Sequence, residues 1–341
     1  MRNIFLFLFL TILCIALFIG DLFWGSVDIP LPVIGKLLFG KATEETVYSG
    51  ILFDLRIPKA ITALFTGMAL SVAGLLMQTL FRNPLAGPYV LGISSGASLG
   101  VAAYVMLSGA LSISFFLPSG WGYAISSIIG ASIILLLVLL TSFRVTDSVS
   151  LLIVGMMFGS ITSAFIGVLQ SISDPDAVKL FINWTLGSLS TVSWTQLQVM
   201  IPLISAGLFT AFLLQKKLDA LLLGENYAKG VGVSIFQTRL WIIAATSLLA
   251  GASTAFTGPI GFIGIAVPHI ARGIFKSSKH SVILPASMLC GAGLLLLCDI
   301  ISQLPNSGYV LPINAICAIF GAPIIIWIIM GNRSGKTMSF S

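Results

Sequence analysis

The sequence predicts an all-α polytopic membrane protein with about ten transmembrane helices, and three observations carry that prediction. Hydrophobic residues make up 57% of the 341, and charged residues only 8%; a soluble domain carries about 25% charged residues. Crossing the roughly 30 Å hydrocarbon core takes about 20 apolar residues as helix, and the chain offers ten such runs. The basic residues, finally, fall unevenly on the connections, the asymmetry that the positive-inside rule demands. Residues 1–341 therefore read as a single transmembrane domain.

The expected spans are 4–24, 57–80, 89–107, 121–142, 149–170, 195–214, 236–256, 261–275, 282–300 and 310–330. The first follows Met1-Arg2 as in a signal peptide, but "FIGDLFWG" offers no small-x-small cleavage site, so it reads as an uncleaved helix. With the N-terminus inside, twelve Lys and Arg fall in the cytoplasm and five (Lys36, Lys41, Arg56, Lys59 and Lys179) outside, which also puts the C-terminus inside. The net charge of +6 thus reports orientation, not nucleic-acid binding. Cys14, Cys290, Cys298 and Cys317 lie in apolar runs without metal-ligand spacing and read as small buried hydrophobes, not as disulfides.

The exterior segment 25–56 is mixed in charge and rich in turn formers, with room for a short amphipathic helix. It leads into "RIPKAITALFTG", where Pro58 suits the first turn of a helix. Arg56 and Lys59 are expected one turn apart on the exterior face, as headgroup anchors or as a docking point for an acidic partner.

Next comes "FRNPLAGPYVLGISSGASLG" at 81–100, too rich in Pro and Gly for a lipid-facing helix. Irregular backbone at membrane depth needs protein or a water-filled cavity to satisfy its polar groups. A second break, "TGPIGFIGIAVPHIARGIF" at 257–275, follows the seventh span as the first follows the second. Paired breaks in two halves point to an inverted repeat around a transport path, or to tight packing through small residues.

The longest interior loop, "QKKLDALLLGENYAKGVGVSI" at 215–235, carries a stripe of Leu218, Leu221, Leu222 and Leu223 and is punctuated by Gly224, Gly230 and Gly232. Such a stripe needs a surface to cover it, either lipid headgroups or a partner protein. Near the spans, Asp299, His269 and Arg239 sit close to span ends; His269 reads as an interface residue and His280 as a loop residue. No acid or base is convincingly mid-membrane, as an ion-coupled carrier would need, and no nucleophile–base set or metal cluster supports an enzyme.

The C-terminal "GNRSGKTMSFS" imitates a phosphate-binding loop, but three residues separate Gly331 from Gly335-Lys336 where four are required. Only four residues follow Thr337, too few for the helix that would face the phosphate. The tail reads as a basic anchor, and ATP is not bound by that route.

Five stretches between about 50 and 330 carry a resemblance: "RIPKA", "GMALSVAGLLMQTLFRNPLAGPYVLGISSGASLG", "LGENYAKGVGVS", "GPIGFIGIAVPHIAR" and "FGAPIIIWII". In this order they resemble the transmembrane permeases of ABC importers for iron–siderophore complexes, haem and vitamin B12. The resemblance implies ten spans per subunit and a second permease subunit, as homodimer or heterodimer, with the path along their interface. Two separate ATP-binding subunits would hold ATP and Mg, with no cofactor on this chain, and an exterior or periplasmic binding protein would deliver the chelate. It also implies a location in the cytoplasmic (inner) membrane.

Residue by residue, Gly224, Glu225, Ala228 and Gly232 match the family's ATPase-coupling loop, and Arg56 and Lys59 its docking pair for the binding protein. Asn83 and Leu85, with the turn near Ser148, are similar to its cytoplasmic gate. Two departures concern docking: Gln303 stands where relatives often have a further Arg, and no Glu precedes Leu311-Pro312. The rival classes are an ion-coupled secondary transporter and a membrane scaffold that binds partners through its cytosolic loop.

Overall fold

The computed structural model describes residues 2–25, 27–38, 46–110, 121–145, 148–303 and 310–331. Among these the chain is helical, apart from an isolated bridge between Gln303 and Val310. The tail with Gly335, Lys336 and Thr337, and residues 304–309 of the turn before Leu311-Pro312, lie outside the described residues.

Seven helices are long and apolar enough to cross a membrane: α1 (Arg2–Phe23), a continuous run ending in α4 (Ile57–Leu80), α6 (Trp121–Ser142), α7 (Ser148–Ile172), α9 (Trp194–Leu213), α12 (Ile235–Thr257) and α14 (His280–Ser302). Three shorter apolar helices, α5 (Ile93–Ala110), α13 (Ile263–Phe275) and α15 (Ile313–Gly331), occupy the other three expected spans. The third span starts later than expected because Pro88–Leu91 forms a 3-10 turn that ends at Gly92, whose φ of 74° is left-handed.

Between the spans lie α2 (Leu31–Leu38), α3 (Thr46–Gly50), which runs into a π-helical stretch at Ile51–Arg56, α8 (Pro175–Thr185), α10 (Gln215–Leu222) and α11 (Glu225–Gly230). The 25–56 segment thus holds, in α2, the short helix that its composition allowed.

The α4 helix is the axis of the fold and is buried along most of its length. Lipid is as apolar as a leucine side chain, so helices in a membrane gain mainly by close packing through small residues. Gly67 of α4 lies against the backbone of Gly291 on α14, and Gly74 against that of Gly264 on α13; a Cβ at any of these positions would collide with the facing chain.

The helix pairing runs reciprocally between the two halves: α4 packs on α14 as α12 packs on α6, and α13 on α4 as α5 on α12. The two breaks also meet, because the Tyr89 hydroxyl donates to the Ile260 carbonyl and accepts from the Ile260 N–H at 3.2 Å. That bond satisfies the irregular backbone that membrane depth would otherwise penalise.

Candidate functional site

The 215–235 segment folds as two short helices set by two glycines. Gly224, at φ 115°, breaks α10 from α11, and Gly232, at φ 84°, ends α11. The Val233 N–H reaches the Ala228 carbonyl at 2.9 Å and the Gly232 N–H that of Lys229 at 3.0 Å. This is the paired closure for which a left-handed glycine is preferred.

The leucine stripe divides. Leu218 and Leu221 pack inside the chain with Ala228, so part of the stripe finds its cover internally, contrary to the expectation that it needs an outside surface. Leu223 (59% exposed), Tyr227 (51%) and Val231 (56%) face outward. Close by, the rings of Phe143 and Phe236, both exposed, lie 5.2 Å apart. An apolar rim of this kind, beside the exposed Lys216, Lys217 and Lys229, is suited to a partner surface.

Glu225 is tied to the bundle through Arg239, Nη2 to Oε1 at 3.5 Å. The same guanidinium donates to the Val145 carbonyl at 3.2 Å, in the turn before α7. Arg239 thus links the segment to the turn near Ser148, the first residue of α7.

Asn83 shapes its own turn. Its Oδ1 accepts from the Leu85 N–H at 2.9 Å, and its N–H reaches the Gln78 carbonyl at 3.2 Å. His269, in the middle of α13, donates Nε2–H to the Pro84 carbonyl at 2.8 Å. Arg272 donates to Gln78 Oε1 at 2.8 Å, and Gln78 in turn to the Ile265 carbonyl at 3.2 Å. The first break is therefore fastened to α13, with Leu85 left partly exposed on it.

At the opposite end the expected docking pair is corrected: Arg56 and Lys59 are each only 4% exposed. Arg56 donates to the Leu22 and Phe23 carbonyls at 2.8 and 3.2 Å and also to that of Val27, which closes the C-terminus of α1. Lys59 sits between Asp21 at 3.0 Å and Asp299 at 2.7 Å. Gln303, at the departure noted above, donates to Asp299 Oδ2 at 3.1 Å. The reason is electrostatic. A lysine and two carboxylates removed from water need one another, so the charges turn inward.

Missing from the sequence reading is a cavity of about 460 Å³ beside α7, lined by Tyr89, Ser95, Gly155, Gly159, Ser160 and Ser163. Its signal was present as the small and hydroxyl residues in "GMMFGSITS". The outer faces of α7 carry exposed Ile153, Met157, Ile161 and Phe165.

A sequence profile of the FecCD transport family matches residues 12–331, a stretch that includes every element described above except the start of α1. The chain belongs to the FecCD transport family. The vitamin B12 import system permease BtuC of Klebsiella pneumoniae is 37% identical over 282 residues, 83% of each chain. The hemin transport system permease HmuU of Yersinia pestis is 31% identical, with 96% of each covered. A solved structure described as an inward-facing metal-chelate type ABC transporter aligns with a TM-score of 0.83 at 27% identity, over 96% of this chain and 99% of that one. The family found is the one its motifs resemble, and this FecCD chain is an importer permease of the ABC class.

Proposed function

We propose that this FecCD permease moves an iron–siderophore or related metal chelate from the exterior or periplasm into the cytoplasm, across the cytoplasmic membrane. The observation that carries the cargo class is the end-to-end structural likeness to a metal-chelate type transporter. Two copies of the permease form the path, their α7 cavities facing each other. Two ATP-binding subunits, which hold ATP and Mg, seat on the rim formed by Leu223, Tyr227 and Val231. Gly224, Glu225, Ala228 and Gly232 keep that rim in shape, and both termini lie on the same cytoplasmic side.

An exterior binding protein delivers the chelate at the other end. Arg56 and Lys59 serve its docking indirectly, by holding α1 to α4 beneath the surface. Asn83, Leu85 and Ser148 stand at the cytoplasmic gate, with Leu85 as the exposed member of its turn.

A second reading, cobalamin as cargo, is favoured by the 37% identity to a vitamin B12 permease. Deletion of the gene, with uptake of labelled ferric chelates, haem and cobalamin measured side by side, decides between them. Selective loss of ferric-chelate uptake is the expected result. Selective loss of cobalamin uptake would replace the cargo and leave the machine unchanged.

A further inference from the structure

His280, expected in a loop, is instead the first residue of α14 and is 1% exposed. It is held from both sides. On one side Asp219 Oδ1, on α10, accepts its backbone N–H at 2.8 Å and lies 2.7 Å from its Nδ1. A carboxylate acceptor requires the proton on Nδ1. On the other side Nε2 lies 2.9 Å from the hydroxyl of Thr79, at the end of α4, and that hydroxyl is also 3.0 Å from the Leu75 carbonyl. One imidazole therefore joins the interior-facing half of the 215–235 segment to the two helices at the centre of the fold.

The joint is conditional on each member. Thr79 has a single hydroxyl proton, to be given either to Leu75 or to a neutral Nε2. If α10 withdraws Asp219, whose own side chain is 39% exposed, Nδ1–H and the first amide of α14 both lose their acceptor at a ring that is itself only 1% exposed, and a buried donor left unpaired is costly. The ring must then follow the carboxylate or turn, and either movement reaches Thr79, four residues before Asn83.

Burial raises the Asp219 carboxyl, but hydrogen bonds from the His280 side chain and backbone, together with the charges of His280 and Lys279, outweigh it and hold the group below the usual carboxylate range. Asp219 is thus firmly ionised. Arg272, whose charge also bears on His280, donates instead to Gln78 Oε1.

We infer that His280 is a positioning residue of the transport cycle: through Asp219 and Thr79 it transmits displacement of the 215–235 segment to α4 and α14, and so to the turn at Asn83–Leu85. The inference rests on the importer reading above.

The test uses the full permease in nanodiscs with its copurified ATP-binding subunits, and a single reporter, Leu85→Cys, labelled by a membrane-impermeant maleimide with and without Mg-ATP. In the otherwise unaltered complex, ATP should change the labelling rate several-fold. His280→Asn keeps a donor toward Asp219 but cannot reach Thr79; Thr79→Val keeps the shape and removes the hydroxyl. Both should hydrolyse ATP at the unaltered rate, with the labelling response reduced about tenfold. A merely structural role would lower the yield of complex without separating hydrolysis from labelling, and that result overturns the inference, as does an unaltered response in Thr79→Val. If the unaltered chain captures no ATP-binding subunit, the importer reading itself falls, and the inference with it.

Discussion

At the scale of single residues, the Lys59 cluster shows how charge is used where water is excluded. Lys59 sits between two carboxylates, Asp21 from α1 and Asp299 from α14, with Gln303 on the far oxygen of Asp299. Removing one member of a buried ion network is far worse than never having had the network, because the remaining charge is stranded. Lys59→Met should therefore destabilise the protein by about 3–5 kcal/mol. Pairing it with Asp21→Asn and Asp299→Asn should restore much of the loss. Thermal unfolding of the detergent-purified variants measures both. If Lys59→Met unfolds with the parent, the cluster does not hold α1 in place.

The same cluster shows where reading the sequence stops. That Arg56 and Lys59 are basic and lie near the start of a span was legible; that they turn inward was not. Their partners, Leu22, Asp21 and Asp299, are distant in sequence, and a cation near a helix end looks the same whether it meets headgroups, another protein or a buried acid. His280 was misread for the same reason, since its acceptor Asp219 lies 61 residues away.

At the scale of elements, the 215–235 segment was the most legible part of the site. Its glycines announced the breaks, and Gly224 and Gly232 indeed take left-handed values that side chains rarely adopt. Less legible was the division of its leucines, because periodicity marks an apolar face without saying how much of it the same chain will cover. The separation into an inner half, Leu218 and Leu221, and an outer rim, Leu223, Tyr227 and Val231, has a consequence. Changes at the rim should spare the fold, and changes that distort its frame should not pass unnoticed by a partner.

Glu225→Lys breaks the tie to Arg239, and Gly232→Val places a β-branched residue where φ is 84°; left-handed backbone costs an L-residue about 1–2 kcal/mol. Both variants should reach the membrane in normal amount yet lose capture of the ATP-binding subunit by at least tenfold. Quantitative pull-down from solubilised membranes reads this directly. Normal capture would remove the coupling role from the segment.

At the scale of the whole molecule, ten apolar runs were visible along the sequence because crossing the roughly 30 Å core takes about 20 apolar residues as helix; seven form helices long enough for that and three form shorter ones. What lay beyond reach was the way the halves clasp: α4 on α14, α12 on α6, and Tyr89 of one break bonded to Ile260 of the other. This arrangement leaves α7 at the margin, with a small-residue, hydroxyl-bearing cavity along one side and large apolar side chains on the other faces.

A helix facing only lipid has no use for that cavity, whereas a helix shared between a transport path and a second copy needs both kinds of face. Placing cysteine at Ser160 or Ser163 should therefore give a site open to a water-soluble maleimide, and tryptophan at Ser163 should cut chelate uptake at least tenfold while ATP hydrolysis continues. Cysteine at Phe165 should resist the same reagent, because that position does not line the cavity. Equal labelling at Ser163 and Phe165 would place α7 in lipid or solvent on both sides, and the path would then have to run elsewhere in the fold.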